Sequence, residues 1–171
     1  MLKYFKKTYS DEDKRLYRFL RKNRLMSELS NEELAKLQPY IYVRSYNENE
    51  VVYFSNDPSH ALYIVKKGVV SLNLEIGGEF EKLLILRNGS VFGENAILSK
   101  AKRRNSAIVL GEGTELYVIP SSNIFEVMEH HPSIQAKMMT GYAQLCDEFT
   151  AKLFDAYKSN RGFFELNTVY S

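Results

Sequence analysis

The sequence predicts a mainly β domain, a sandwich or barrel of short strands with helices at both ends. Three observations carry that expectation. Between Tyr40 and Ile119, runs rich in Val, Ile, Leu, Tyr and Phe recur at short intervals, separated by turn residues. On either side of that region the apolar residues take the helical period instead. The 171-residue length suits one domain with a substantial core.

The N-terminal residues 1–24 read as a basic lead-in and a helix. Ser10 can cap it, and Asp11, Glu12 and Asp13 fall in the first turn, where the helix dipole favours negative charge. Leu16, Phe19 and Leu20 share a face, ringed by Lys14, Arg15, Arg18, Arg21, Lys22 and Arg24. That face reads as packing on the domain, or as contact with an acidic partner or a membrane surface. Ser30 and Glu33 have capping-box spacing; Leu34 and Leu37 follow, and Pro39 ends the helix.

From Tyr40 the period changes to two. Ile41 and Val43 alternate with polar residues, and Val51 to Phe54 form a short β-rich run. Asn56-Asp57-Pro58-Ser59 is turn chemistry. Strands are expected at 60–65 and 69–76, the second with Val70, Leu72, Leu74 and Ile76 on one face. Gly77-Gly78 makes a hairpin turn, Phe80 to Leu86 the returning strand, and Asn88-Gly89 the next turn. Two further strands flank Gly111-Glu112-Gly113, giving seven or eight in all.

Helix returns after Pro120, with Ser121 or Ser122 as cap for a stretch holding Ile124, Phe125, Val127 and Met128. His130-His131-Pro132 breaks it, and a long helix is expected from Pro132 to about Tyr157. Met139, Tyr142, Cys146, Phe149, Leu153 and Ala156 alternate in spacing between three and four, as in a coiled-coil seam. This seam either pairs two copies of the chain or packs on its own barrel.

The rest of the chain is organised around Ser90-Val91-Phe92-Gly93-Glu94-Asn95-Ala96-Ile97-Leu98 and, after a basic loop, Arg103-Arg104-Asn105-Ser106-Ala107. Gly93 has no Cβ, so backbone can come close to a ligand there. Free N–H groups opening the turn point at negative charge. Arg104, ten residues past Glu94, can hold a phosphate through two parallel hydrogen bonds, which a lysine cannot. Glu94 would repel a phosphate, and accepting from a sugar hydroxyl suits it better. The plainer alternative is a surface ion pair between Glu94 and Arg104.

Phe92-Gly93-Glu94-x-Ala96-x-Leu98 with Arg104 resembles the phosphate-binding cassette of cyclic-nucleotide-binding domains, and the likeness runs from roughly Leu25 to Tyr157. It implies a double-stranded β-helix jelly roll, with the cassette as its helical interruption. The domain boundaries it suggests are 1–24 for the basic helical extension, 25–131 for the jelly roll, 132–157 for the dimerisation or lid helix, and 158–171 for a tail. It further implies that cyclic AMP or cyclic GMP is the ligand. Phe92, Gly93, Glu94, Asn95, Ala96, Arg104, Asn105 and Ser106 would line the site, and Thr150 would reach it from the long helix. Asn95 stands where the family usually has an apolar residue, and Asn105 where a small one is usual.

Net charge is +2, from 23 basic and 21 acidic residues, which is no nucleic-acid footprint. The fourteen residues after Tyr157 are too few for a helix-turn-helix reader, so no DNA-binding domain is expected. One cysteine, Cys146, excludes an internal disulfide. No apolar run reaches membrane-spanning length, and no secretory leader is evident, so the expected location is the cytoplasm. His60, His130 and His131 are the only imidazoles and do not converge in the pattern of a metal-dependent enzyme, so neither enzyme activity nor a resident cofactor is expected. The reading is a stand-alone cyclic-nucleotide sensor that signals by moving its last helix, forms a homodimer through it, and passes the signal to an unknown protein partner. A degenerate dimeric interaction domain of the same fold is the alternative.

Overall fold

The computed structural model describes residues 8–160; the lead-in at 1–7 and the tail beyond residue 160 lie outside the described residues. The chain opens with α1 (Asp11–Leu20) and α2 (Asn31–Leu37), each started by a reciprocal capping box, Ser10 with Asp13 and Ser30 with Glu33. Pro39 stops α2 within a 3-10 turn, Gln38–Tyr40.

Eight strands follow: β1 (Tyr42–Tyr46), β2 (Val51–Tyr53), β3 (Ala61–Lys67), β4 (Val70–Ile76), β5 (Glu79–Leu86), β6 (Val91–Phe92), β7 (Ser106–Val109) and β8 (Thr114–Pro120). All pairings are antiparallel. They form two four-stranded sheets, ordered β1-β8-β3-β6 and β2-β7-β4-β5. This is the expected jelly roll. The helices α3 (Ser121–His130) and α4 (Pro132–Asn160) close the chain.

Alternation along β3 divides the apolar residues between two cores. Val65 points between the sheets and joins Tyr46, Tyr53, Val70, Phe92 and Leu116. Leu62 and Ile64 point the other way, against Tyr17, Leu34, Ile124 and Met138 of the four helices. The basic helix α1 is therefore part of the domain, since Tyr17 and Leu20 are fully buried in this second core.

Several local expectations change. Neither Ser121 nor Ser122 caps α3; Pro120 is the N-cap and no side chain caps it. The strand runs straight into the helix there, and the Ser121 amide already donates to the His60 carbonyl at 2.8 Å. In β4 the register shifts between Leu72 and Asn73, which breaks the apolar face. Val70 and Leu72 are buried, Ile76 is exposed, and Asn73 is buried, donating to the Ser71 carbonyl and hydroxyl. Val43 in the edge strand β1 and most of the edge strand β5, including Phe80 and Ile85, face outward.

Two contacts fix the start of α4. Glu33 accepts from the Ser30 amide at 2.7 Å, from Lys137 Nζ at 2.7 Å and from Ser133 Oγ at 2.5 Å, which joins α2 to α4. Gly141 crosses the turn after α1 so closely that a Cβ there would lie 2.5 Å from the Arg24 carbonyl oxygen. Past Leu145 the apolar residues of α4 face outward. Phe149, Leu153 and Phe154 are each about half exposed. The inward face of α4 is Ile134, Met138, Tyr142 and Leu145, offset from the seam read in the sequence. Of that seam, only Tyr142 packs inward.

Candidate functional site

Strand β6 ends at Phe92, which is fully buried and stacks on Tyr63 of β3 with ring centroids 5.1 Å apart. Gly93 then reverses the chain at φ +64°, a conformation that a side chain resists. A Cβ on it would also lie 2.4 Å from Arg103 Nη1. Both constraints call for glycine. A 3-10 turn follows, Glu94–Ile97, whose Ala96 and Ile97 are buried against the helical core.

The centre of the site is Arg103. Its side chain is buried, only 3% exposed. Nη1 donates to the Gly93 carbonyl at 3.0 Å and to Asn95 Oδ1 at 3.3 Å, and Nη2 donates to the Ala61 carbonyl at 2.6 Å. The guanidinium lies 4.1 Å over the Tyr53 ring and 5.5 Å from the Tyr63 ring. Nε is buried and has no partner. Arg103 also makes no ion pair among the described residues. Burial works against its charge, offset in part by Tyr53, Tyr63, Glu94 and Asp57.

Glu94 is half-buried beside this group. Burial raises its pKa; a hydrogen bond from its own amide and the charge of Arg103 pull the other way. The two side chains do not pair directly, which leaves both with capacity for a ligand that has an anionic part and a hydroxyl part. Burial also raises the Tyr53 phenol, again with Arg103 opposing.

The other residues picked from the sequence are distributed as follows. Arg104 is exposed, one residue from the buried guanidinium. The argument that a buried, uncompensated charge calls for an anion therefore applies to Arg103 rather than Arg104. Asn105 Oδ1 accepts from the Tyr53 hydroxyl at 3.2 Å, so it braces the ring under Arg103. Ser106 is buried, and its Oγ accepts from the Ser55 amide at 2.9 Å. Asn95 accepts from Ser59 Oγ at 2.7 Å and donates to the Lys102 carbonyl at 2.6 Å. Thr150 is exposed on α4 and donates to the Cys146 carbonyl of its own helix at 2.8 Å.

On α4, Tyr142 packs against the helical core that also holds Ala96 and Ile97 of the cassette turn. Its pKa is pushed up to about 12 by burial, a hydrogen bond with Cys146 and the charge of Glu94, against the opposing charge of Arg104. Sequence reasoning did not single out Arg103, Tyr53 and Tyr63, which the structure brings together at the cassette. One signal was available for the first. Of two consecutive arginines leading into a strand, alternation turns one inward and one outward.

Among the described residues no three His, Cys, Asp or Glu side chains are grouped to hold a metal ion. No helix among them is long and apolar enough to cross a membrane.

The family model of the cyclic nucleotide-binding domain matches residues 43–131, which take in all eight strands except the first residue of β1, the cassette and α3. Cyclic AMP receptor protein of Thermus thermophilus is 29% identical over 107 residues, covering 62% of this chain and 49% of that one. Glutaminase 1 of Bradyrhizobium diazoefficiens is 28% identical over 121 residues, covering 71% of this chain and 19% of its own length. The crystal structure of Thermus thermophilus catabolite activator protein superposes with a TM-score of 0.65 at 26% identity, over 77% of this chain and 62% of that one. The chain thus spans about half or less of these two curated relatives.

Proposed function

Because the chain belongs to the cyclic nucleotide-binding domain family, we propose that it is a regulatory module that binds cyclic AMP or cyclic GMP in the cassette. One observation carries this reading. A guanidinium sits buried at the cassette with an unpartnered Nε–H and no carboxylate pairing with it. A buried unpaired donor is costly, and a phosphate oxygen would satisfy it while neutralising the charge. In this reading Arg103 holds the exocyclic phosphate oxygens. Gly93 lets the backbone approach, Glu94 accepts from the ribose 2′-hydroxyl, and Tyr53, Tyr63 and Phe92 wall the site. Arg104 lies at the mouth. There its exposed charge raises the local concentration of anionic ligand more than it holds it.

Signalling in this proposal passes through Tyr142. A ligand phosphate changes the charge that Glu94 and the arginines present to α4, whose apolar contacts with the core, Ile134, Met138, Tyr142 and Leu145, lie in its first half. Ligand then shifts the populations of two α4 positions, to the extent that it binds them unequally. The exposed Phe149 and Leu153 make α4 the face through which two copies would pair.

One observation favours the alternative, a dimeric interaction domain that takes no nucleotide. The guanidinium already has three oxygen acceptors of its own, so the loop closes without a ligand. Isothermal titration of the whole chain with cyclic AMP and with cyclic GMP decides between them. Saturable binding of either supports the sensor, and heat of dilution alone with both supports the scaffold.

A further inference from the structure

In the cassette turn Glu94–Ile97, the residue whose side chain makes the most cross-links is Asn95. Its amide bonds three residues in two separate segments. Oδ1 accepts from Ser59 Oγ at 2.7 Å in the turn before β3, and from Arg103 Nη1 at 3.3 Å. Nδ2 donates to the Lys102 carbonyl at 2.6 Å, at the far end of the cassette loop. These partners fix the amide's orientation, because a carbonyl can only accept and a guanidinium can only donate. The backbone makes the same closure. Ser59 N donates to the Ala101 carbonyl at 2.9 Å, Arg103 N to the Asp57 carbonyl at 2.8 Å, and Asn56 N to the Arg103 carbonyl at 2.9 Å. Ser59 is buried at 8% exposure, so the hydroxyl has little water to turn to. An apolar side chain at position 95 could make none of the three side-chain bonds.

We infer that Asn95 is a positioning residue for Arg103: it shuts the cassette loop from Gly93 to Arg103 and turns the guanidinium so that Nε–H is the donor left for a phosphate. With Nη1 committed to Gly93 and Asn95, and Nη2 to Ala61, Nε–H is the donor left without a partner. A guanidinium fixed in this way loses little freedom when an anion arrives. The inference rests on the reading that Arg103 holds the phosphate.

The test uses the full chain and two readouts. One is titration with cyclic AMP and cyclic GMP; the other is hydrogen exchange of the Arg103 Nε–H by NMR, the signal being identified by its loss in Arg103→Lys. Asn95→Leu is expected to weaken nucleotide binding about tenfold or more and to speed Nε–H exchange. Asn95→Asp keeps the acceptor and adds a charge beside the guanidinium. It is expected to weaken binding as well, while leaving exchange no faster than in the wild type. A role in loop packing alone would move both variants the same way in both readouts. Should Asn95→Leu fail to fold, Ser59→Ala removes one partner of the amide and is expected to give a smaller change in the same direction. Binding and exchange in Asn95→Leu equal to wild type would overturn the inference, even with Arg103→Lys unable to bind. Faster exchange in Asn95→Leu, in a protein that binds neither nucleotide, would uphold the positioning and refute the nucleotide reading.

Discussion

Glu33 joins α2 to the start of α4, and its replacement by glutamine has a size that the structure sets. Burial pushes the Glu33 carboxyl up. Hydrogen bonds from Lys137, Ser133 and the Ser30 amide, with the charge of Lys137, outweigh that and hold it down at about 2, against 4.5 for the free side chain. The folded pKa is the lower one, so the group stabilises the fold fully above about pH 4.5, and that contribution is lost as pH falls through about 2. At about 1.4 kcal/mol per unit the ceiling is roughly 3 kcal/mol. Lys137 is 38% exposed, and solvent screening brings the expected figure to about 1–2 kcal/mol. Denaturant unfolding of wild type and Glu33→Gln should differ by that amount at pH 7, and the difference should shrink towards zero near pH 2. A difference that is absent at neutral pH, or that does not change across this window, would refute the reasoning.

Gly93→Ala forces a side chain into φ +64°, at a cost of about 1–2 kcal/mol, and pushes on Arg103 Nη1. Calorimetric titration should therefore show nucleotide binding weakened by much more than the loss in Tm suggests. Gly141→Ala gains about 1 kcal/mol of helix propensity. Its Cβ would sit 2.5 Å from the Arg24 carbonyl and 2.9 Å from Leu25 Cα, both backbone, so thermal melting is expected to show net destabilisation. Phe149→Asp places a charge on the exposed half of α4; light scattering should report a monomer for the variant and a dimer for the wild type.

Most of the fold was legible because the patterns that encode it are local. The Ser10 cap, the Ser30–Glu33 capping box, the Gly77-Gly78 hairpin turn at φ +63° and +88°, and the switch from helical to alternating period each need only a few consecutive residues. The β4 register shift was hidden because it depends on a partner strand. Asn73 is buried by what β5 and β7 do, not by its neighbours in sequence. The cassette was visible through Gly93 and Glu94. Which of Arg103 and Arg104 is buried was not, because counting residues from Glu94 cannot say how many of them the loop uses before the strand begins. Tyr53 and Tyr63 were unreadable as site residues for a related reason. They lie 50 and 40 positions before Arg103, on strands that only the rolled-up sheet brings to it. The seam on α4 was legible as a period. Its direction was not, since Gly141 sets how the helix crosses the N-terminal turn and so which face turns outward.

The central claim is that the guanidinium of Arg103 is the phosphate donor. Calorimetric titration of cyclic AMP and cyclic GMP into wild type, Arg103→Lys and Arg104→Ala measures it directly. Lysine keeps the charge but loses the planar donor edge, so Arg103→Lys should bind about 10- to 100-fold more weakly, while Arg104→Ala should stay within about threefold of wild type. Wild-type affinity in Arg103→Lys together with lost binding in Arg104→Ala would contradict the account.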